Sequence, residues 1–119
     1  MIKFDSTEQL CFHDCNLVKI LNSSNEINLH IENIYADDDK YSTKILLRNV
    51  DQIKKNGVIV DKIRMETDDG ELYSFYEENL DIVIDVIWHK YSPNSEEFCT
   101  YLLEGKSMMV EVYDTTRSE

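Results

Sequence analysis

Between residues 26 and 36 apolar and polar side chains alternate one for one. Ile27, Leu29, Ile31 and Tyr35 fall on one side, and Glu26, Asn28, His30 and Glu32 on the other. A period of two is that of a half-buried strand, whose successive side chains point to opposite faces. Residues 80–88 repeat it, with Leu80, Ile82, Ile84, Val86 and Trp88 forming one side. Their second side, Asp81, Val83, Asp85, Ile87 and His89, mixes charged with apolar residues and predicts a half-covered face.

Turn chemistry supplies the joints. Asp68-Asp69-Gly70 separates apolar segments at 61–67 and 71–77, and a three-residue hairpin loop there pairs Met65 with Tyr73 and Ile63 with Phe75. Glu104-Gly105-Lys106 joins a strand at 98–103 to a closing strand, and Ser92-Pro93-Asn94-Ser95 ends the strand that carries Trp88. Two short helical turns are expected. Asp51 can cap 52–56 with Gly57 as the stop, and Ser6-Thr7-Glu8-Gln9 has the form of a capping box. Segment 10–21 fits either period, because Leu10, Cys11, Cys15, Val18 and Leu21 also have helical spacing.

The resulting expectation is a mainly β single domain over residues 1–119. It is an antiparallel meander of about eight strands near 11–21, 26–36, 43–50, 58–67, 71–77, 80–90, 97–103 and 107–113, forming a sandwich or partly open barrel. With 119 residues and 14.0 kDa the chain has the length of one ordinary domain. One proline and three glycines leave no linker, and no internal repeat is evident.

Charge narrows the partners. Twelve basic against 24 acidic residues give a net charge of −12, with a sequence pI near 4.5. Phosphate backbones and anionic membrane surfaces attract clustered Lys and Arg, whereas Arg48, Arg64 and Arg117 stand alone here among scattered lysines. Nucleic acid and membrane are therefore not expected partners; a basic protein is. The N-terminus reaches Asp5 without a charged and then apolar leader, and the apolar run at 80–88, broken by Asp81 and Asp85, falls far short of the roughly 20 residues that span a bilayer. A cytoplasmic location is expected. Cys11, Cys15 and Cys99, an odd number without a Cys-x-x-Cys, predict reduced thiols and no disulfide framework.

Candidate chemistry is sparse. Cys11, His13 and Cys15 share one face of a strand at 11–21, and a metal- or thiol-dependent enzyme would need the His13/Asp14/Cys15 cluster to converge with His89 or Cys99. A buried thiol beside a hydrogen-bonded histidine accounts for the cluster more simply, and neither a catalytic residue nor a cofactor is assigned. A four-residue connection at 22–25 would set Leu21 opposite Glu26, Ile20 by Ile27, Val18 by Leu29, Asn16 by Ile31 and Asp14 by Asn33. Asp14 and Asn16 would then continue a core-facing row, Asp14 pinned by Asn33, a backbone amide or His13. Asp37-Asp38-Asp39 does not open a calcium loop, because Ser42 and Arg48 stand where glycine and glutamate are required.

One larger pattern points to a partner. In an up-and-down meander alternate connections share an end of the sheet, which would gather Asp37, Asp38, Asp39, Asp68, Asp69, Glu96 and Glu97 into an acidic pole. The opposite end would hold Lys54, Lys55 and Lys106 among its acids. Such a pole steers a basic partner and accelerates encounter.

Phe12-His13-Asp14-Cys15, followed by alternating strands and by Ile45-Leu46-Leu47-Arg48-Asn49-Val50 before a polar turn, resembles small bacterial β-rich proteins of the toxin-immunity type. The likeness covers the first half of the chain. It implies a non-enzymatic cytoplasmic protein that blocks a cognate toxin, and it brings no catalytic residues. An accessory domain of a mobile element or phage is the alternative in the same class.

Overall fold

The computed structural model describes residues 14–36, 38–91 and 93–117. Nine strands follow in order: β1 Cys15–Ser23, β2 Glu26–Ala36, β3 Asp39–Arg48, β4 Gln52–Lys55, β5 Val58–Val60, β6 Gly70–Glu78, β7 Asp81–Tyr91, β8 Asn94–Glu104 and β9 Met109–Arg117. They form one open antiparallel sheet in the order β5-β4-β8-β7-β6-β1-β2-β3-β9. The expected single meander is therefore two meanders, β1-β2-β3 and β6-β7-β8, joined side by side through β1 and β6. β9 is added to one flank and the β4–β5 hairpin to the other.

Two expected elements are replaced, each by a longer-range pairing. Gly57 does not stop a helix: Asn56 and Gly57 both have positive φ, 51° and 82°, and make the two-residue turn of the β4–β5 hairpin, with Lys55 paired to Val58. Asn-Gly is the pair that such a turn favours. Once turned, β4 docks on β8 with Gln52 opposite Glu104 and Lys55 opposite Tyr101. No helix occurs among the described residues, and the Ser6–Gln9 capping box lies outside them. The second correction concerns 58–67, where the strand stops at Val60. Gly70 is not a turn residue but opens β6, opposite Trp88 on β7 and Leu17 on β1. Met65 and Ile63 therefore do not pair with Tyr73 and Phe75. Ile63 is still buried, tied by Asn22, whose Nδ2 donates to its carbonyl at 2.8 Å and whose Oδ1 accepts from its amide at 3.3 Å.

The core lies on one side of the sheet, filled by the alternate positions that the pattern marked, among them Ile27, Leu29, Ile31, Ile82, Ile84 and Val86. Trp88 is fully buried there and donates its Nε1–H to Tyr101 Oη at 3.2 Å, which satisfies both polar atoms. A Cβ on Gly70 would stand 2.6 Å from the Trp88 ring, so the missing side chain is what lets the indole lie against β6.

Register in β1 differs from the expectation for two reasons. The β1–β2 turn has two residues, with Ser23 opposite Glu26, which sets Ile20 against Leu29. A bulge at Val18 then shifts the pairing again, so Leu17 faces Ile31 and Asn16 faces Glu32. Cys15 and Leu17 fill the core in place of Asp14 and Asn16; Asp14 is exposed, and Asn16 Oδ1 accepts from Asn33 Nδ2 at 2.5 Å. Further bulges interrupt β2 at Asn33, β6 at Tyr73 and β9 at Asp114, with positive φ at Asn33 (60°) and Asp114 (50°).

The β6–β7 turn carries a built-in cost. Asn79 and Leu80 have φ of 51° and 71° between the paired Glu78 and Asp81, and Leu80 is 85% exposed. A leucine at positive φ is strained by its Cβ and here gains little from burial. Leu80→Gly is therefore expected to raise stability by about 1 kcal/mol, read as a higher urea midpoint.

Candidate docking face on β6, β7 and β8

The acidic residues singled out in the sequence fall into two groups. Gly70, Trp88, Leu17 and Ile31 stand on one line across the sheet. The β7–β8 connection lies beyond Trp88 on one side of that line, and the β2–β3 connection beyond Ile31 on the other. The structure thus brings Asp68, Asp69, Glu96 and Glu97 towards one end but sets Asp38 and Asp39 at the opposite strand end; Asp37 is outside the described residues. The expected common pole fails because it assumed one continuous meander, and the β4–β5 hairpin interrupts the alternation of ends. Asp39 is also ion-paired, 2.9 Å from Arg117.

At the β7–β8 end the geometry is fixed by hydrogen bonds. The Asp69 carbonyl accepts from the His89 amide at 2.9 Å, and its carboxylate accepts from the Tyr91 hydroxyl, which raises the Tyr91 pKa. His89 Nε2 lies 3.0 Å from Glu71 Oε1, and its Nδ1 3.6 Å from Glu96 Oε1. Glu97 accepts from Lys90 at 3.2 Å and from the Cys99 thiol at 3.6 Å, and these bonds hold its pKa below the usual carboxylate value.

Below this end, the outward face of β6–β8 is banded. Pairings of Ile87 with Phe98 and Val83 with Leu102 make two apolar rows, Tyr76 extending the second. Phe98 is 53% exposed and meets Tyr73 edge to face, with ring centroids 5.7 Å apart. Between the rows lies Asp85, half-buried, its two oxygens accepting from Ser74 Oγ at 2.5 Å and Thr100 Oγ1 at 2.7 Å. Both donors are neutral, and among the described residues no cation offsets this carboxylate. His89 and Glu96 border the face above, joined by Glu71, which pairs with Ile87 and reaches up to His89, and the paired Glu78 and Asp81 border it below. Asp85 and Phe98 escaped the site reading of the sequence. The signal for Asp85 was the mixed second side of the Trp88 strand, where charge and apolar character themselves alternate; Phe98, on β8, is placed beside it by the β7–β8 register.

The thiol reading finds little geometry. Cys15, Leu72, Val86 and Cys99 lie in one register row, which puts the two thiols three strand spacings apart, roughly 14 Å and beyond disulfide reach. Both are fully buried, and burial raises the Cys99 pKa, which disfavours its thiolate. Among the described residues no three His, Cys, Asp or Glu side chains are placed to hold a metal; Cys11 and His13 lie outside them. On the outward face of β1–β3, His30 faces Lys19 and Lys44 across the strands, and burial followed by those two charges lowers its pKa.

No helix among the described residues is long and apolar enough to cross a membrane. No family model matches the chain, and neither a curated protein nor a solved structure is significantly similar to it.

Proposed function

We propose that this protein is a non-enzymatic, acidic binding protein that occludes a basic protein partner in the cytoplasm. A toxin is the partner class implied by the resemblance of its opening residues. The observation that carries the reading is the fixed acidic end at the β7–β8 connection, where, among the described residues, Asp68, Asp69, Glu71, Glu96 and Glu97 form ion pairs with His89 and Lys90 alone, Lys55 acting on Glu97 from farther off. Opposed fields steer encounter, and a less charged contact then holds the complex. The same reading takes the sheet as curled towards a partly open barrel. In its support, the segment after β3 bonds in two directions, Val50 N to Asn25 O at 3.0 Å and Asp51 N to Glu104 O at 2.8 Å.

The test is association with poly-L-lysine, followed by surface plasmon resonance across a salt series. Raising NaCl from about 0.05 to 0.5 M contracts the screening length severalfold and is expected to cut the on-rate by about tenfold or more. Combined neutralisation by Asp68→Asn, Asp69→Asn, Glu96→Gln and Glu97→Gln should remove most of that salt dependence, and neutralising Asp37, Asp38 and Asp39 should remove less. Binding that ignores salt, or an absence of binding at low salt, overturns the reading.

A further inference from the structure

The outward face of β6, β7 and β8 has an order that charge alone does not require. Reading down β7, its outward positions run His89, Ile87, Asp85, Val83, Asp81: ionisable, apolar, acidic, apolar, acidic. The neighbours repeat the sequence in register. Glu96 accompanies His89, Phe98 accompanies Ile87, Thr100 and Ser74 accompany Asp85, Leu102 and Tyr76 accompany Val83, and Glu78 accompanies Asp81; the exception is Glu71, which pairs with Ile87 but reaches diagonally to His89, 3.0 Å from its Nε2. The bands at Asp85 and Val83 cross all three strands and the band at Ile87 crosses β7 and β8; successive bands are two residues apart, roughly 6.8 Å at the rise of an antiparallel strand.

We infer that this banded face is the docking surface for an extended segment of a basic protein in which cationic and apolar side chains alternate along one side. The inference rests on the proposed function and specifies where and how the partner is held. An extended segment lying along β7 presents the side chains of one face at the same spacing of roughly 6.8 Å, so its positions meet the bands one for one. The middle cation meets Asp85, whose oxygens are already oriented by two hydroxyls and which forms no ion pair among the described residues. The flanking apolar side chains meet Ile87 with Phe98 above, and below they meet Tyr76 and Leu102, which flank the buried Val83. The outer cations meet Glu71 and Glu96 at one end and Asp81 and Glu78 at the other. An exposed aromatic beside a partly desolvated carboxylate, with acids around the rim, is the composition of an interface hot spot facing a cationic partner. Phosphate-bearing partners are repelled by the same rim.

A defined probe is the nine-residue peptide Lys-Ser-Leu-Ser-Lys-Ser-Leu-Ser-Lys, which carries the matching order on one face. Its control is Leu-Leu-Ser-Ser-Ser-Ser-Lys-Lys-Lys, equal in charge and composition. Calorimetric titration is expected to show the ordered peptide binding about tenfold more tightly than the control, and Asp85→Asn and Phe98→Ser each weakening it by about tenfold. Asparagine keeps an oxygen for the Ser74 and Thr100 hydroxyls, and Phe98 is half exposed, so both variants should retain the wild-type circular dichroism spectrum. Equal binding of the two peptides overturns the inference. So does wild-type affinity in both variants while the fourfold neutralisation at the β7–β8 end abolishes binding, an outcome that leaves the proposed function standing. Failure of both peptides and of poly-L-lysine to bind overturns both.

Discussion

Gly105→Ala is expected to destabilise the fold by about 3 kcal/mol or more, because the new methyl group meets main chain and not a side chain that could swing away. A Cβ at this position would stand 2.3 Å from the Asn49 carbonyl oxygen and 3.5 Å from the Asp51 amide nitrogen. Nor can the two segments separate without loss. Asp51 N donates to Glu104 O at 2.8 Å, Asn49 Nδ2 donates to Ser107 O at 2.9 Å, and Lys106 N donates to Asp51 Oδ2 at 3.2 Å. Relieving the clash breaks this seam, which ties the β3–β4 connection to the β8–β9 connection. Urea denaturation should show a large fall in midpoint, and hydrogen exchange should show lost protection at the Asp51 and Lys106 amides. A variant within about 0.5 kcal/mol of wild type would mean that the close approach is not obligatory.

Gly70→Ala is expected to cost about 2–3 kcal/mol by overpacking. Its Cβ would stand 2.6 Å from Trp88 Cζ3 and 3.0 Å from Cε3, and the indole is held from behind by its hydrogen bond to Tyr101. The mechanism predicts a specific rescue. Trp88→Phe removes part of the ring that the methyl group strikes, so the double variant should be more stable than the sum of the two single costs allows, by about 1 kcal/mol or more. Additive costs in a urea double-mutant cycle would assign the loss to backbone conformation instead. Single variants that keep Trp88 can also be followed by fluorescence, since it is the sole tryptophan.

Local pattern carried the long strands. The alternation predicted β2 and β7, and their inward faces over 27–31 and 82–88, because each residue's environment there follows from its own parity along the chain. Tyr35, expected inward, is 49% exposed because the bulge at Asn33 brings Ile34 into the core in its place, and Leu80, expected beside Ile82, lies in the turn. What local pattern could not carry is the choice of neighbour. Ile63 and Met65 alternate as strand residues do, yet the pairing partner of Gly70 and Leu72 turned out to be β1, some fifty residues away, and 61–69 became a connection. Gly57 shows the same limit in turn chemistry: a residue at positive φ ends a helix or turns a hairpin, and only the docking of β4 on β8 decides between them. Val18 shows it in register, since one inserted residue rephases every position before it. The site followed the topology. The carboxylates were visible as residues, but assembling them required knowing which connections share an end. The banded face needed the register of three strands at once.

The two flanks of the sheet differ in what they offer a further strand. On one, β5 is only three residues long; on the other, β9 runs for nine residues but is bent at Asp114, where φ is 50° and the ladder with β3 skips a position. A visiting strand could follow β9 only until that kink, where amide and carbonyl groups fall out of step with a straight guest. Copies of this protein should therefore resist stacking edge to edge into fibres even in concentrated solution. The kink at Asp114 should act as a chain terminator for polymerisation, so its removal by straightening β9 is expected to favour edge-to-edge association.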